Sequence, residues 1–329
     1  MRTFRFGFQV RQETAAELRA TARAAEDAGF DVISTWDHVG DGWAPLTPLL
    51  AMAACTTRLR ICPLVLNNDF HHPVHLAREL ASVDHLSGGR LEVGIGAGHA
   101  FTEYAAIGQS FDPPKVRKAR LAEAVEVLRR LLDGEEVSFA GAHYRLDKAR
   151  TMRALQERVP ILVAVNGQAA LAHAAQHADI IGLTMLGRTL EDGQRHAVRW
   201  EADRLDRTVS FIREQAGGRD VELNALVQRI VVTDDRAAAA QELVNAVEGL
   251  TLEDALSTPF LALGKHAEIA DHLQRCRARW GISYYTVRDV PSFAPVIDRL
   301  RRAEAGSVRS ESNEDEHTAE HRHDAEQHA

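Results

Sequence analysis

The sequence predicts an α/β fold, a closed (β/α)8 barrel. Two observations carry that expectation: strand-like and helix-like segments alternate eight times over about 300 residues, and the second, fourth and fifth strands lack long polar alternation, as strands covered on both faces should. The loops after the strands differ in length, which marks that end as the functional rim.

Taken in order, FRFGFQV (4–10) is the first strand, and the alanine-rich stretch Glu13–Gly29 forms a helix stopped by its glycine. DVISTW (31–36), a helix near 46–55 and RLRICPLVL (58–66) follow. A helix over 73–87 ends in the turn Ser87-Gly88-Gly89, and LEVGIG (91–96) is the fourth strand. From Lys115 to Leu132, Leu121, Val125, Leu128 and Leu132 recur at helical spacing and predict one sheet-facing stripe. Residues 134–148 interrupt the rhythm and read as a hairpin inserted around Ala140-Gly141. ILVAV (161–165), a helix over 168–177, DIIGL (179–183), a long helix from about 191 to 216 and a strand ELNALVQRIVV (222–232) restore it. A helix at 235–247, an irregular stretch at 249–262, a helix at 266–280 and ISYYTV (282–287) complete the expected barrel domain, 1–306.

Residues 307–329 have one valine, no larger aliphatic residue and no aromatic, too little apolar surface to offset the entropy of ordering, so a disordered acidic tail is expected. That tail carries two arginines against seven acidic residues, so −5 of the formal charge of −8 sits there. No broad basic field remains to suggest a nucleic-acid partner. Apolar runs end well short of ~18 residues, so no membrane span is expected. No signal-peptide pattern opens the sequence and Cys55, Cys62 and Cys276 form no C-x-x-C pair, which together predict a soluble cytoplasmic protein.

Asp84-His85-Leu86-Ser87-Gly88-Gly89-Arg90-Leu91-Glu92-Val93-Gly94-Ile95-Gly96-Ala97-Gly98, followed by Glu103-Tyr104 and Gly108, resembles the bacterial luciferase-like oxidoreductase superfamily. The resemblance runs on through Arg120, Glu123 and Phe139-Ala140-Gly141-x-x-Tyr144, and covers about residues 4–300. Trp36-Asp37-His38 and Asn67-Asn68-x-x-x-His72-Pro73 look most like its actinobacterial branch dependent on the deazaflavin coenzyme F420. The resemblance implies a barrel binding F420, or alternatively FMN, across the carboxyl ends of the strands, a small-molecule substrate, and a homodimer. The leading expectation is an F420-dependent oxidoreductase transferring hydride between deazaflavin C5 and an organic substrate. The alternatives are an FMN-dependent monooxygenase using reduced flavin and oxygen, and a non-catalytic flavin- or deazaflavin-binding barrel.

His38 and His99 each follow a strand's carboxyl end, where an imidazole that titrates near neutrality can exchange a substrate proton. Either is the catalytic candidate; the alternative for His38 is an ordinary loop hydrogen bond. Some sugar-phosphate-oxidising relatives have glutamate at the position of His99, so their proton scheme does not carry over directly. Asp37 either contacts the cofactor or caps its turn, with Trp36 walling the pocket. Pro63 interrupts the third strand because it lacks a ladder donor, and the resemblance implies a non-prolyl cis peptide at Leu64–Val65 behind the central deazaflavin ring. Asn67 offers donors and acceptors to a ring edge. Gly96 and Gly98 allow close backbone approach, to a ligand or to neighbouring strands.

Asn166, Gly167 and Gln168 open a helix whose free amides suit a phosphate, and the resemblance adds Thr184 as a second phosphate-side contact. Lys115, Arg117, Lys118 and Arg120 crowd the start of another helix, where positive charge opposes the dipole; a polyanionic cofactor tail or nearby carboxylates would compensate. His143, Tyr144 and Arg288 are further pocket or lid candidates. His71, His72 and His75 lie close in sequence but lack a fixed fourth ligand, so no metal site is expected.

Overall fold

A computed structural model of the protein describes residues 1–11, 14–189 and 196–306. Eight parallel strands form the barrel: β1 (Arg5–Gln9), β2 (Val32–Thr35), β3 (Arg60–Pro63, resuming at Leu66–Asn67), β4 (Val93–Gly96), β5 (Ile161–Val165), β6 (Ile180–Leu183), β7 (Glu222–Leu226) and β8 (Ile282–Val287). Each pairs with its successor, and β8 returns to β1 with Arg5 opposite Tyr284. The seam is β3. Its first half pairs with β2 and its second half with β4, linked on the other side by the single bridge Ile61–Leu91. Between the halves the Leu64–Val65 peptide is cis, at the bond the family resemblance indicated.

The outer helices are α1 (Ala15–Asp27), α2 (Thr47–Ala53), α3 (Pro73–Leu86), α4 (Pro114–Leu132), α5 (Gln168–His177), α6 (Ala202–Ala216), α7 (His266–Trp280) and α8 (290–306). Thr14 and Glu17 close a capping box on α1, which satisfies amides the first turn leaves free. Leu121, Val125, Leu128 and Leu132 of α4 are all buried, as their spacing predicts. None of the described helices is long and apolar enough to cross a membrane.

The amino-terminal end of the barrel is closed by charge. Arg5 bonds Glu92 and, at 2.5 Å, Glu222; Arg60 bonds Glu92 at 2.6 Å, and both carboxylates are buried. Burial pushes the Glu222 carboxyl up, opposed by Arg5. These groups begin their strands, so they plug the end opposite the rim.

The hairpin expected at 134–148 is present outside the barrel, Val137–Ala140 pairing antiparallel with Arg145–Ala149. Two expectations need correction. The long helix expected from about 191 to 216 is shorter where it is described: α6 begins at Ala202, and His196–Val198 instead pairs antiparallel with Leu186–Thr189, while 190–195 lie outside the described residues. Val198 and Trp200 are buried while Arg199 between them is exposed, the two-residue period of a strand. The strand 222–232 is two strands. At Gln228 the backbone leaves β8 and bonds Phe260, and Arg229–Val232 pairs with Leu261–Gly264 in a separate sheet. The stretch 249–262 thereby gains a helix, Leu252–Ser257, and the start of that partner strand. The expected tail, 307–329, lies outside the described residues.

His272 on α7 is buried with Nε2 2.8 Å from the Thr258 carbonyl. Loss of water lowers its pKa from 6.5 to about 4, against a contribution from that carbonyl which raises it. A lowered imidazole pKa means that between pH 6.5 and 4 the unfolded chain binds a proton the folded one refuses. Stability should therefore fall as pH drops through that window and flatten below it. At ~1.4 kcal/mol per pKa unit His272 contributes roughly 3 kcal/mol of this loss. Urea unfolding at pH 7 and pH 4.5 should show His272→Gln less acid-sensitive than the parent; equal sensitivity would refute the assignment.

Candidate functional site

The rim at the carboxyl ends of β1–β8 is built from residues that hold one another. Asp37, just beyond β2, accepts the Asn67 backbone N–H at 2.9 Å and lies 3.0 Å from His71 Nε2. It therefore ties the end of β3 to the following loop. Asn67 is buried, its Oδ1 accepting from the Asp69 N–H and lying 3.2 Å from the Tyr104 hydroxyl. Burial raises the Tyr104 pKa to about 12, so the group stays a neutral phenol. A Cβ on Gly98 (φ +69°) would lie 2.3 Å from the Tyr104 hydroxyl and 2.5 Å from Asn67 Oδ1. On Gly96 it would lie 3.0 Å from Val65 Cγ2. The space both glycines leave is used by protein neighbours, seating β4 against β3. The Leu64 carbonyl, in the cis peptide, accepts from Gln9 Nε2 at 2.7 Å, and Gln9 Oε1 in turn accepts from Arg288 Nε at 2.8 Å.

His38 stands half exposed on this rim with Nδ1 2.5 Å from Glu103 Oε1. Glu103 rides on the short helix Phe101–Ala106, which the buried Tyr104 next to it anchors against Asn67 and Asp69. With Nδ1 engaged by a carboxylate, Nε2 is the position left for proton exchange. The His99 ring lies edge-on to His38 at 5.6 Å and 5.2 Å from the His196 ring. Partial desolvation, then His196, His38 and Arg117, lowers the His99 pKa to about 4, so it stands neutral near pH 7. The geometry thus brings His38 and His99 together and, among the described residues, pairs His38 but not His99 with a carboxylate.

The basic run at the start of α4 has three separate tasks. Arg117 is buried, donates to the carbonyls of Asp112, Ala97 and Gly98, and lies over Phe111. Arg120 pairs with Asp69 at 2.8 Å and with Asp112. Lys118 reaches the opening of α5, its Nζ 2.6 Å from Asn166 Oδ1 and 2.8 Å from the Asn166 carbonyl. Burial, with Arg117 nearby, lowers the Lys118 pKa. On α4 the neighbouring Glu123 accepts the backbone N–H groups of Ala142, His143 and Tyr144 and so fastens the external hairpin. His72 accepts the Val74 N–H at the start of α3, and Tyr144 meets Asn68 Nδ2 at 3.3 Å.

Gly167 (φ +85°) precedes α5 and supplies no side-chain cap, which leaves the first amides of Gln168 and its successors to another partner. A cavity of about 300 Å³ opens here, lined by Asn166, Gly167, Thr184, Gly187, Arg204 and Thr208 among others. Uncapped amides, an ammonium and room together fit a phosphate. Gln168 opens the helix without lining the cavity. Sequence reading missed Gln9, the pairing of Glu103 with His38, and the joining of Lys118 to Asn166. It also missed His196, Arg204 and Thr208. The one local signal was Gln9, a polar residue ending an apolar strand.

The profile of the luciferase-like monooxygenase family matches residues 2–324. An F420-dependent glucose-6-phosphate dehydrogenase of Nakamurella multipartita is 32% identical over 249 residues, 72% of this chain and 70% of the relative. An F420-dependent hydroxymycolic acid dehydrogenase of Mycobacterium tuberculosis is 30% identical over 68% of this chain and 61% of its own length. The fold of the coenzyme F420-dependent tetrahydromethanopterin reductase of Methanopyrus kandleri superposes with a TM-score of 0.69 at 17% identity, covering 90% of this chain and 97% of that one.

Proposed function

The chain belongs to the luciferase-like monooxygenase family and, within it, to the F420-dependent oxidoreductases, and from that premise we propose that its rim transfers hydride between deazaflavin C5 and a small organic substrate, with His38 handling the proton. The observation that carries this reading is the His38–Glu103 contact of 2.5 Å at the strand ends. F420, when bound, supplies an obligate two-electron carrier with little oxygen reactivity, so the protein's share is orientation and proton management.

Reducing a carbonyl, imine or activated alkene leaves a heteroatom or carbon that needs a proton, and oxidising an alcohol releases one. His38 Nε2 gives or takes that proton, while Glu103 holds the ring by Nδ1 and stabilises the imidazolium. His99, neutral beside it, donates or accepts a hydrogen bond without adding charge. Lys118, Asn166, Gly167, Gln168 and Thr184 would hold the cofactor's phosphate. Leu64 and Val65 would back its ring, with Asn67 and Asp37 fixing the loop beside it and Gly96 and Gly98 letting β4 approach.

Equilibrium binding of F420 and FMN side by side tests the reading. F420 should bind the tighter. Lys118→Ala should weaken it about 10–100-fold, as expected when a hydrogen bond to a charged group worth ~1.5–3 kcal/mol is lost. Tighter binding of FMN would favour the monooxygenase alternative, and no binding of either would leave a barrel without this chemistry.

A further inference from the structure

Arg288, just beyond β8, carries a half-buried guanidinium whose partners distinguish it both from the arginines matched by carboxylates and from Arg117 and Arg219, which donate to backbone carbonyls. Arg5 is matched by Glu92 and Glu222, Arg120 by Asp69 and Asp112, Arg129 by Asp179, and Arg277 by Glu304. Arg288 instead donates to two neutral amide oxygens, Gln9 Oε1 at 2.8 Å and Gln228 Oε1 at 3.4 Å. No ion pair joins it to a carboxylate among the described residues. What stands near it is more positive charge. Arg11 and Arg229, both exposed, are close enough that their charges, after burial itself, lower its pKa.

The three arginines follow β1, β7 and β8, which are consecutive around the ring. They therefore gather on one side of the mouth. β2, which leads to His38, is the next strand beyond β1. Through Gln9, Arg288 is also two hydrogen bonds from the Leu64 carbonyl. Three guanidinium groups on one side of the mouth, none of them paired with a carboxylate among the described residues, repel one another, and the repulsion is relieved by an oxyanion that accepts two N–H bonds at once.

We propose that Arg288, flanked by Arg11 and Arg229, anchors a carboxylate, phosphate or sulfate group of the substrate, so that the protein acts on an anionic organic molecule. This rests on the hydride-transfer reading for the word substrate, but the anion site itself does not. Held by that group at the β7–β8–β1 side, the substrate presents its reacting carbon toward His38.

The test uses the F420-saturated protein, in which the α5 opening is already filled, and inorganic sulfate as the probe. Sulfate is titrated at constant ionic strength against chloride while Tm is followed. A saturable rise in Tm is expected, with the apparent affinity at least about tenfold weaker in Arg288→Gln and partly restored in Arg288→Lys. F420 affinity should be the same in all three proteins. No saturable rise in the parent, or an equal rise in Arg288→Gln, would overturn the site. A tenfold loss of F420 affinity in Arg288→Gln would overturn the substrate assignment, because the anion recognised would then be the cofactor's own tail. Should F420 fail to bind the parent at all, the same titration on ligand-free Lys118→Ala protein reads Arg288 alone, so the two ideas fail separately.

Discussion

Replacing His38 with alanine is expected to slow turnover by about 10²–10⁴ while leaving F420 affinity within a few-fold of the parent, the usual yield of one general acid–base group. The asymmetry follows from its place. The ring is half exposed on the rim beyond β2, bonded to Glu103 and edge-on to His99, whereas the Asn166–Lys118 contact assigned to the cofactor phosphate lies beyond β5. Glu103→Gln should give a milder loss, because an amide at Nδ1 still orients the ring but holds the imidazolium less well than a carboxylate does. Pre-steady-state hydride transfer and its pH profile, with cofactor affinity measured separately, check both variants. A parental transfer rate and profile in His38→Ala would sink the role, and the same loss appearing instead in His99→Ala would move it there.

Replacing Glu92 with alanine should destabilise the fold by about 3–5 kcal/mol, the range for removing one partner of a buried ion pair. Glu92 is 1% exposed and is shared by Arg5 and Arg60, so its loss leaves two guanidinium groups facing each other with Glu222 as the remaining buried carboxylate. Glu92→Gln keeps the volume and one acceptor and should fall between parent and alanine. Because the network closes the end of the barrel opposite the rim, the surviving folded fraction should bind F420 as the parent does. Urea unfolding with a cofactor titration reads both. A loss below about 1 kcal/mol would mean that water reaches these charges and screens them.

The barrel was legible in the pattern of apolar residues. Apolar runs such as ILVAV and ISYYTV, separated by helices with a 3.6-residue stripe, have few ways to bury themselves other than a parallel sheet wrapped in helices. The sequence also marked the residues beyond each strand, including His38, His99, Asn166 and Gly167, because the carboxyl ends of barrel strands are where side chains meet a ligand. It misread 196–201 and 222–232, where a short run fits strand and helix patterns alike and only the partner strand distinguishes them. Tertiary structure alone showed that Asp37 binds the Asn67 amide, that Glu103 meets His38 across 65 positions, and that Lys118 leaves its basic neighbours for Asn166. It alone joined Arg288 to Gln9 across 279 positions. Periodicity records which face of an element is buried, but a hydrogen bond between two loops depends on where the closed ring sets their strands side by side, and local sequence does not carry that distance.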